Sequence, residues 1–99
     1  MAARPSDIPR RLPRGSHGLD RDVVEASQRA RLLEAVGRAV AEKGYAAATI
    51  EDVVRGAGVS KKTFYEHFAD KEGCFLAAYE AAAEELFRRV LEEIGRAHV

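Results

Sequence analysis

Lysine, hydroxyl and aromatic side chains cluster between positions 61 and 71 of this chain of 99 residues. The side chains there that can donate a hydrogen bond to a nucleic acid are Lys61, Lys62, Thr63, Tyr65, His67 and Lys71. Ammonium and hydroxyl groups bind phosphate oxygens and base edges of nucleic acids. Two lysines at the start of a predicted short helix are unusual, because the helix macrodipole favours anions at that end. A phosphate backbone would relieve this conflict, so the cluster predicts a DNA-binding face.

Several of these residues also have a purely structural explanation. Lys62 can form a surface ion pair with Glu66, one helical turn away. Tyr65 can belong partly to the core, and His67 can be a hydrogen-bonded histidine near the end of its helix. Clustering of the cations and the tyrosine on the exposed side of one segment favours DNA contact over these separate explanations.

No catalytic or metal site is predicted. His17, His67 and His98 fall in different predicted elements, and Cys74 has no CxxC partner. A cysteine near the start of a helix can have a somewhat acidic thiol, which would permit a redox switch. A buried structural cysteine is the simpler expectation for Cys74, and no cofactor is expected.

Two short helices joined by a glycine turn must position the cluster. Thr49 and Ser60 can each cap a helix through a side-chain oxygen, and Asp52 stands three residues after Thr49, as in a capping box. Gly58 can adopt the positive φ that a tight turn requires. This pattern predicts a helix-turn-helix motif, and the exposed start of its first helix also makes Thr49 a candidate phosphate contact.

The inner face of the second helix is defined by two phenylalanines. Phe64 lies four residues before Phe68, so both side chains point to the same side of a helix. Val59, just before the Ser60 cap, can pack on Phe64 as a hydrophobic staple. We therefore expect this helix to bury its phenylalanines and to expose its lysines.

Helix one is predicted to start between Asp22 and Ser27 and to end at Lys43, because apolar residues recur there at steps of three and four. Gly44 follows as a left-handed terminating residue, and Tyr45 is expected to pack back into the core. A glycine inside this helix, Gly37, would be tolerated best where another helix crosses closely.

Helix four is predicted to begin after an Asp70 cap and to run for about 25 residues. Its first half can cover the helix-turn-helix. Its second half carries apolar side chains with nothing in the sequence to bury them, namely Leu86, Phe87, Val90, Leu91 and Ile94. Such a patch marks a surface for a partner.

Charge and composition set the remaining limits. The formal net charge is +0, which argues against a general polyanion binder. Residues 55–71 carry four cations against two carboxylates, or +2, whereas residues 72–99 carry three arginines against six glutamates, or −3. The basic surface is therefore local. A single cysteine, no membrane-length apolar run and no visible signal peptide predict a cytoplasmic protein.

The first 21 residues hold all three prolines and several arginines without helical periodicity. We expect a disordered basic arm over residues 1–21, followed by one domain over residues 22–99. The arginines of the arm can contact the minor groove or phosphates, or the arm can be a solvated leader.

The segment Gly44–Glu80, GYAAATIEDVVRGAGVSKKTFYEHFADKEGCFLAAYE, resembles the DNA-binding domain of tetracycline-repressor (TetR-type) transcription regulators. With the preceding helix from Gln28 to Lys43, the resemblance covers about 70 residues. It implies a phosphate contact through the Tyr65 hydroxyl, and a dimer on a palindromic operator. Thr49, His67 and Lys71, by their positions at or near helix ends, are expected to anchor further phosphates. In the family a larger helical domain follows, which carries dimerisation and an inducer pocket and for which this sequence has no counterpart.

The sequence therefore predicts an all-α protein, a three-helix helix-turn-helix bundle followed by a long fourth helix. Its predicted function is sequence-specific binding of double-stranded DNA as a transcription regulator, most simply a repressor. We expect a homodimer in a full-length form, weak or absent dimerisation of this chain, and no ligand pocket in it. The alternative is a protein-interaction module that pairs through helix four with a longer relative and modulates its DNA binding.

Overall fold

The computed structural model describes the backbone of residues 14–97 and the side chains of residues 20–97. The described residues form four helices and no strand: α1 (Arg14–Lys43), α2 (Ile50–Ala57), α3 (Lys61–His67) and α4 (Lys71–Ala97). The all-α prediction is confirmed, with three helices around one core and a long fourth helix. None of these helices is both long and apolar enough to cross a membrane.

The predicted start of helix one was wrong. α1 begins at Arg14, eight residues before the earliest predicted start at Asp22 and directly after Pro13, the last proline of the chain. Once a helix has formed, each further residue adds one hydrogen bond, so α1 can extend beyond its apolar stripe. Residues 14–21 are therefore helical and not part of a disordered arm. The prediction for residues 1–13 lies outside the described residues.

Both predicted glycine terminations are present. Gly44 (φ 85°) ends α1 and donates its N–H to the Val40 carbonyl at 2.7 Å. Gly58 (φ 72°) ends α2 with a Schellman motif, in which its N–H donates to the Arg55 carbonyl and the Val59 N–H donates to the Val54 carbonyl. Only glycine adopts these left-handed angles without strain, so the chain turns where the sequence predicted.

A complete capping box begins α2. The Asp52 N–H donates to Thr49 Oγ1 at 3.0 Å, and the Thr49 N–H donates to Asp52 Oδ2 at 3.0 Å. α3 begins in the same way, with the Thr63 N–H donating to Ser60 Oγ at 3.1 Å. These local bonds satisfy amides that a helix of seven or eight residues would otherwise leave unpaired.

The core lies where α1, α2, α3 and the start of α4 meet. Phe64 is fully buried, and Phe68, the extended residue that ends α3, is 8% exposed, so both phenylalanines face the core as predicted although only Phe64 lies within the helix. The other buried members of this cluster are Leu32, Ala35, Val36, Val53, Ala57 and Cys74. A Cβ added at Gly56 would lie 3.4 Å from Ala35 Cβ, whereas one at Gly37 would meet nothing within 4 Å. The close helix crossing is thus at Gly56, and the expectation for Gly37 was wrong.

α4 covers the core only with its first turns. Asp70 caps it, accepting from the Gly73 N–H at 2.8 Å, and Cys74 is fully buried. Burial raises the pKa of the Cys74 thiol to about 11, so the idea of an acidic, redox-sensitive thiol was wrong. From residue 79 to residue 97 every side chain of α4 is exposed.

Candidate nucleic-acid interface

Four side chains of α3 are exposed and form what we call its outer face: Lys61, Lys62, Tyr65 and Glu66. Helical geometry places Lys62 and Glu66, each two positions from Phe64, farthest from the buried ring, and Lys61 and Tyr65 at its sides. The predicted cluster is therefore split. The two lysines and Tyr65 lie on the outer face, whereas Thr63 and His67 are half-buried at its edges.

Lys61 is tied to the neighbouring helix. Its Nζ donates to Glu51 Oε2 at 3.0 Å, which joins the first turn of α3 to the first turn of α2. Sequence reasoning did not identify Glu51 as a partner. The signal that could have found it is the presence of opposite charges in the first turns of two helices joined by a tight turn.

Lys62 is the most exposed cation of this face. Its side chain is 86% exposed and lies 3.6 Å from Glu66 Oε2, one turn along the same helix. The surface pair that the sequence allowed is therefore formed. Exposed pairs of this kind stabilise a helix by only ~0.3–0.5 kcal/mol, so Lys62 can leave Glu66 for another anion.

Thr63 and Tyr65 differ in how they are held. The Thr63 Oγ1 accepts from the Ser60 hydroxyl at 3.1 Å, so this side chain takes part in the α3 cap. The Tyr65 ring is 52% exposed and packs edge-on against Phe64, with ring centroids 5.2 Å apart. Tyr65 thus has the partial core contact that the sequence allowed, together with an exposed ring surface.

His67 connects α3 to α1. Its Nε2 lies 3.1 Å from Gln28 Oε1, so the tautomer protonated at Nε2 donates a hydrogen bond across the two helices. Gln28 was not predicted as its partner, and the separation of 39 residues gives no local signal for the pair. This contact is the structural role that the sequence offered as the alternative to phosphate binding.

Lys71 is held by the turn between α1 and α2. Its Nζ donates to the carbonyls of Tyr45 at 2.7 Å and Ala48 at 2.9 Å, and lies 4.3 Å from the centroid of the Tyr45 ring. Tyr45 itself is 40% exposed and packs edge-on against Phe75 of α4, so the prediction that it fills the core was wrong. Lys71 and Tyr45 together fix the loop that leads into α2.

Thr49 lies at the end of this loop and is exposed. Its hydroxyl oxygen accepts from the Asp52 N–H, but a hydroxyl is also a donor, so capping does not exhaust its bonding capacity. Beside it, Lys43 and Arg55 both contact the Asp52 carboxylate, at 3.0 and 3.4 Å. The Thr49 amide and the Lys43 ammonium hold the pKa of Asp52 well below its ordinary value. The cap therefore stays charged over the whole physiological range.

Charged residues also line a shallow open groove between α1 and α2, including Arg38, Glu42, Lys43, Asp52 and Arg55. Ligand pockets usually bury most of the ligand surface, whereas this groove is open to solvent. Among the residues whose side chains are described, no three His, Cys, Asp or Glu side chains come together as a metal site.

Comparison with protein families identifies the segment that carries this face. Residues 32–78 match the family of bacterial regulatory proteins called the tetR family. The helix-turn-helix of this chain is similar to that of tetR-family regulators. The match begins inside α1, at the first buried leucine, and ends in α4 just beyond Cys74. It thus covers the core and the candidate interface and leaves out the exposed part of α4.

Three curated transcription regulators are similar to part of this chain. The HTH-type transcriptional repressor AcnR of Corynebacterium glutamicum is 38% identical over 74 residues, which are 74% of this chain and 38% of AcnR. The HTH-type transcriptional repressor KstR2 of Mycobacterium tuberculosis is 44% identical over 46 residues, 46% of this chain and 23% of KstR2. The HTH-type transcriptional activator FasR of Mycolicibacterium smegmatis is 28% identical over 82 residues, 83% of this chain and 37% of FasR.

This chain therefore spans less than two fifths of the length of these three relatives. No solved structure is similar enough to be matched to it.

Proposed function

We propose that this chain is the DNA-binding part of a tetR-family transcription regulator and binds double-stranded DNA through the outer face of α3. The observation that carries the proposal is the division of α3 into two faces. Phe64 and Phe68 are buried against the core, while Lys61, Lys62 and Tyr65 project outward from the second helix of a helix-turn-helix motif. In such motifs the second helix enters the major groove with its N-terminal residues toward the bases.

The polar side chains then divide into two roles. Lys62 and Thr63, in the first turn of α3, are the candidates for contacts with base edges, and Lys61 accompanies them. Tyr65, His67, Thr49 and Lys71 are the candidates for phosphate contacts that position the helix. Lys71 supports this role with a fixed ammonium: two of its three N–H donors bind the carbonyls of the α1–α2 turn, which leaves one for a phosphate oxygen.

The proposed partner is a palindromic operator bound by two copies of a full-length form. Two α3 helices would enter successive major grooves on one side of the duplex, about 34 Å apart. Repression is the simplest regulatory outcome, because a protein that occupies a promoter excludes polymerase without any further contact. Two of the three relatives described above are named as repressors and one as an activator.

Selection from a randomised operator library tests the division of roles. Lys62→Ala should change which sequences are selected, at a cost of ~1–3 kcal/mol if the ammonium reaches a guanine edge. Tyr65→Phe should weaken binding to all selected sequences alike, because a phosphate contact carries no base identity. Arg38→Ala is the control, because it removes an exposed cation of α1 that lies 3.7 Å from a carboxylate one helical turn away, Glu34.

Equal losses for Lys62→Ala and Tyr65→Phe on every library sequence would refute the division of roles. Failure of the parent to bind any duplex at low salt would refute the proposed function itself. For the isolated chain we expect weak, strongly salt-dependent binding, with Kd on the order of 10⁻⁴–10⁻⁶ M, because phosphate contacts dominate when a single copy binds.

The exposed part of α4 favours a second candidate function, pairing with a longer relative. Leu86, Phe87 and Leu91 are each more than half exposed, and they lie along the part of α4 that covers no core. If this surface binds a relative, the mixture should elute earlier than either protein in size-exclusion chromatography, and the relative should lose operator affinity. Unchanged elution of both proteins would exclude the second function.

A further inference from the structure

The carboxylate of Glu51 forms an ion pair with Lys61, one of the two cations on the proposed DNA-binding face. Glu51 Oε2 lies 3.0 Å from Lys61 Nζ, and the pair connects α2 with α3 across ten residues. The two side chains are 65% and 53% exposed, so an approaching DNA phosphate can reach both of them. A phosphate that binds this ammonium must therefore compete with the Glu51 carboxylate for it.

Helix capping does not account for this pair. Asp52 already makes both bonds of the capping box, with the Thr49 amide and the Thr49 hydroxyl. A second acid in the first turn of α2 is favoured by the helix macrodipole, but the macrodipole does not require Glu51 to reach a lysine of the next helix. Lys62 has its own carboxylate, Glu66 at 3.6 Å. Each of the two cations on the outer face of α3 therefore has a carboxylate beside it, Glu51 from α2 and Glu66 from α3 itself, although residues 55–71 counted along the sequence carry a net charge of +2.

We propose that Glu51 is an intramolecular competitor of DNA phosphate for Lys61. In the free protein the Glu51 carboxylate holds the Lys61 ammonium, and any duplex must displace or neutralise this contact before Lys61 can bind its backbone. Since sequence-independent affinity comes almost entirely from such cation–phosphate contacts, Glu51 lowers the affinity of this face for DNA of arbitrary sequence. This inference rests on the proposed function and adds to it a residue that limits non-specific binding.

The test uses the whole chain and a fluorescent duplex of random sequence, about 20 base pairs long, in anisotropy titrations between 50 and 200 mM salt. Glu51→Gln keeps the shape of the side chain and removes its charge. It should bind about two- to five-fold more tightly at low salt, the range expected for releasing one exposed ion pair. Its plot of log Kobs against log salt should be steeper by up to ~0.9, the slope of one additional phosphate contact.

Two further variants separate this effect from a change in net charge. Glu93→Gln removes the same charge from an exposed pair with Arg96 (2.9 Å) on the distant part of α4, and should bind as the parent does. Lys61→Met removes the cation for which Glu51 competes. In that background the additional Glu51→Gln change should have no effect, because Glu51 acts through Lys61.

Three results would overturn the inference. Equal binding by Glu51→Gln and Glu93→Gln would show that only net charge matters. A gain from Glu51→Gln that persists in the Lys61→Met background would show that Glu51 does not act through Lys61. If the parent, Glu51→Gln and Glu93→Gln all fail to bind the duplex at 50 mM salt, the proposed function fails and the inference fails with it; the first two results leave the proposed function intact.

Discussion

α3 and the exposed part of α4 are both helical, but different interactions hold them. α3 has seven residues, begins at a Ser60 cap and buries two phenylalanines in the core. Residues 81–97 of α4 are all exposed, and the ion pairs described among them lie within the helix, as between Glu85 and Arg88. α3 therefore depends on tertiary contacts with the core, whereas the exposed part of α4 depends on interactions within its own helix.

Helix length explains this difference. Isolated helices shorter than ~12–15 residues are marginal in water, because the first turn fixes several residues for a single hydrogen bond. α3 is well below that length, so it cannot hold its conformation without the core. The exposed part of α4 continues a helix of 27 residues that is already nucleated against the core, so each further residue adds one hydrogen bond. The surface proposed to bind DNA is thus on the element that depends most on packing.

The largest loss of stability is expected when the buried aromatic side chain of α3 is truncated. Phe64→Ala should lower the free energy of unfolding by ~3–5 kcal/mol, since Phe64 is fully buried between α3 and the other helices. Phe87→Ala on α4 is the matched control. Its ring is 64% exposed, so the same truncation should cost less than ~1 kcal/mol. Urea unfolding followed by circular dichroism measures both.

A domain of this size has a free energy of unfolding of ~5–10 kcal/mol. Phe64→Ala removes a large part of it, so this variant should also lose DNA binding at 37 °C. Lys62→Ala should leave the midpoint of unfolding unchanged. Similar losses for Phe64→Ala and Phe87→Ala would mean that α3 is not held by its core contacts, and the comparison between the two helices would fail.

A smaller effect is expected from the cap of α3. Ser60→Ala removes the acceptor of the Thr63 N–H, and should lower the free energy of unfolding by ~1 kcal/mol, within a range of ~0.5–2. Ser27→Ala is the control, because Ser27 is an exposed residue inside α1, where alanine is at least as favourable as serine. Equal midpoints for the two variants would show that α3 does not need its cap.

The elements that local chemistry determines could be predicted from the sequence. Thr49, Ser60 and Gly58 are each recognisable from residue type and position, and the structure places a cap or a turn at each. The spacing of Phe64 and Phe68 likewise predicted the buried face of α3, because four residues correspond to about one helical turn. These features need only a few neighbouring residues to be defined.

The contacts between distant residues could not be predicted. The position of Lys71 on the Tyr45 and Ala48 carbonyls depends on how α4 crosses the α1–α2 turn, which no spacing encodes. The pairing of Lys61 with Glu51 had only a weak signal, the opposite charges in the first turns of two helices joined by a tight turn, and it changes the charge of the candidate site. The start of α1 was missed for another reason: apolar periodicity marks where a helix packs, and α1 extends well before its first packed residue.

The smallest effect is expected when the pH is lowered, which should reduce the helicity of the exposed part of α4. Arg88 and Arg89 donate to the Glu85 carboxylate at 2.6 and 2.9 Å, and these hydrogen bonds lower its pKa from 4.5 to about 2. A carboxyl whose folded-state pKa is lowered stabilises the helix above its ordinary pKa, and this contribution is lost as the pH falls from about 4.5 to about 2.

The helicity of residues 85–97, followed by their ¹³Cα chemical shifts, should therefore decrease over this window while the core residues keep their native shifts. Glu85→Gln should show the lower helicity already at neutral pH and a smaller change on acidification, because the amide cannot titrate. Glu84→Gln, which removes the same charge one residue earlier, should follow the parent. Because every side chain of residues 81–97 is exposed, this local loss should not lower the stability of the core. A coupled loss of core signals between pH 4.5 and 2 that Glu85→Gln abolishes would mean that the two regions are not independent.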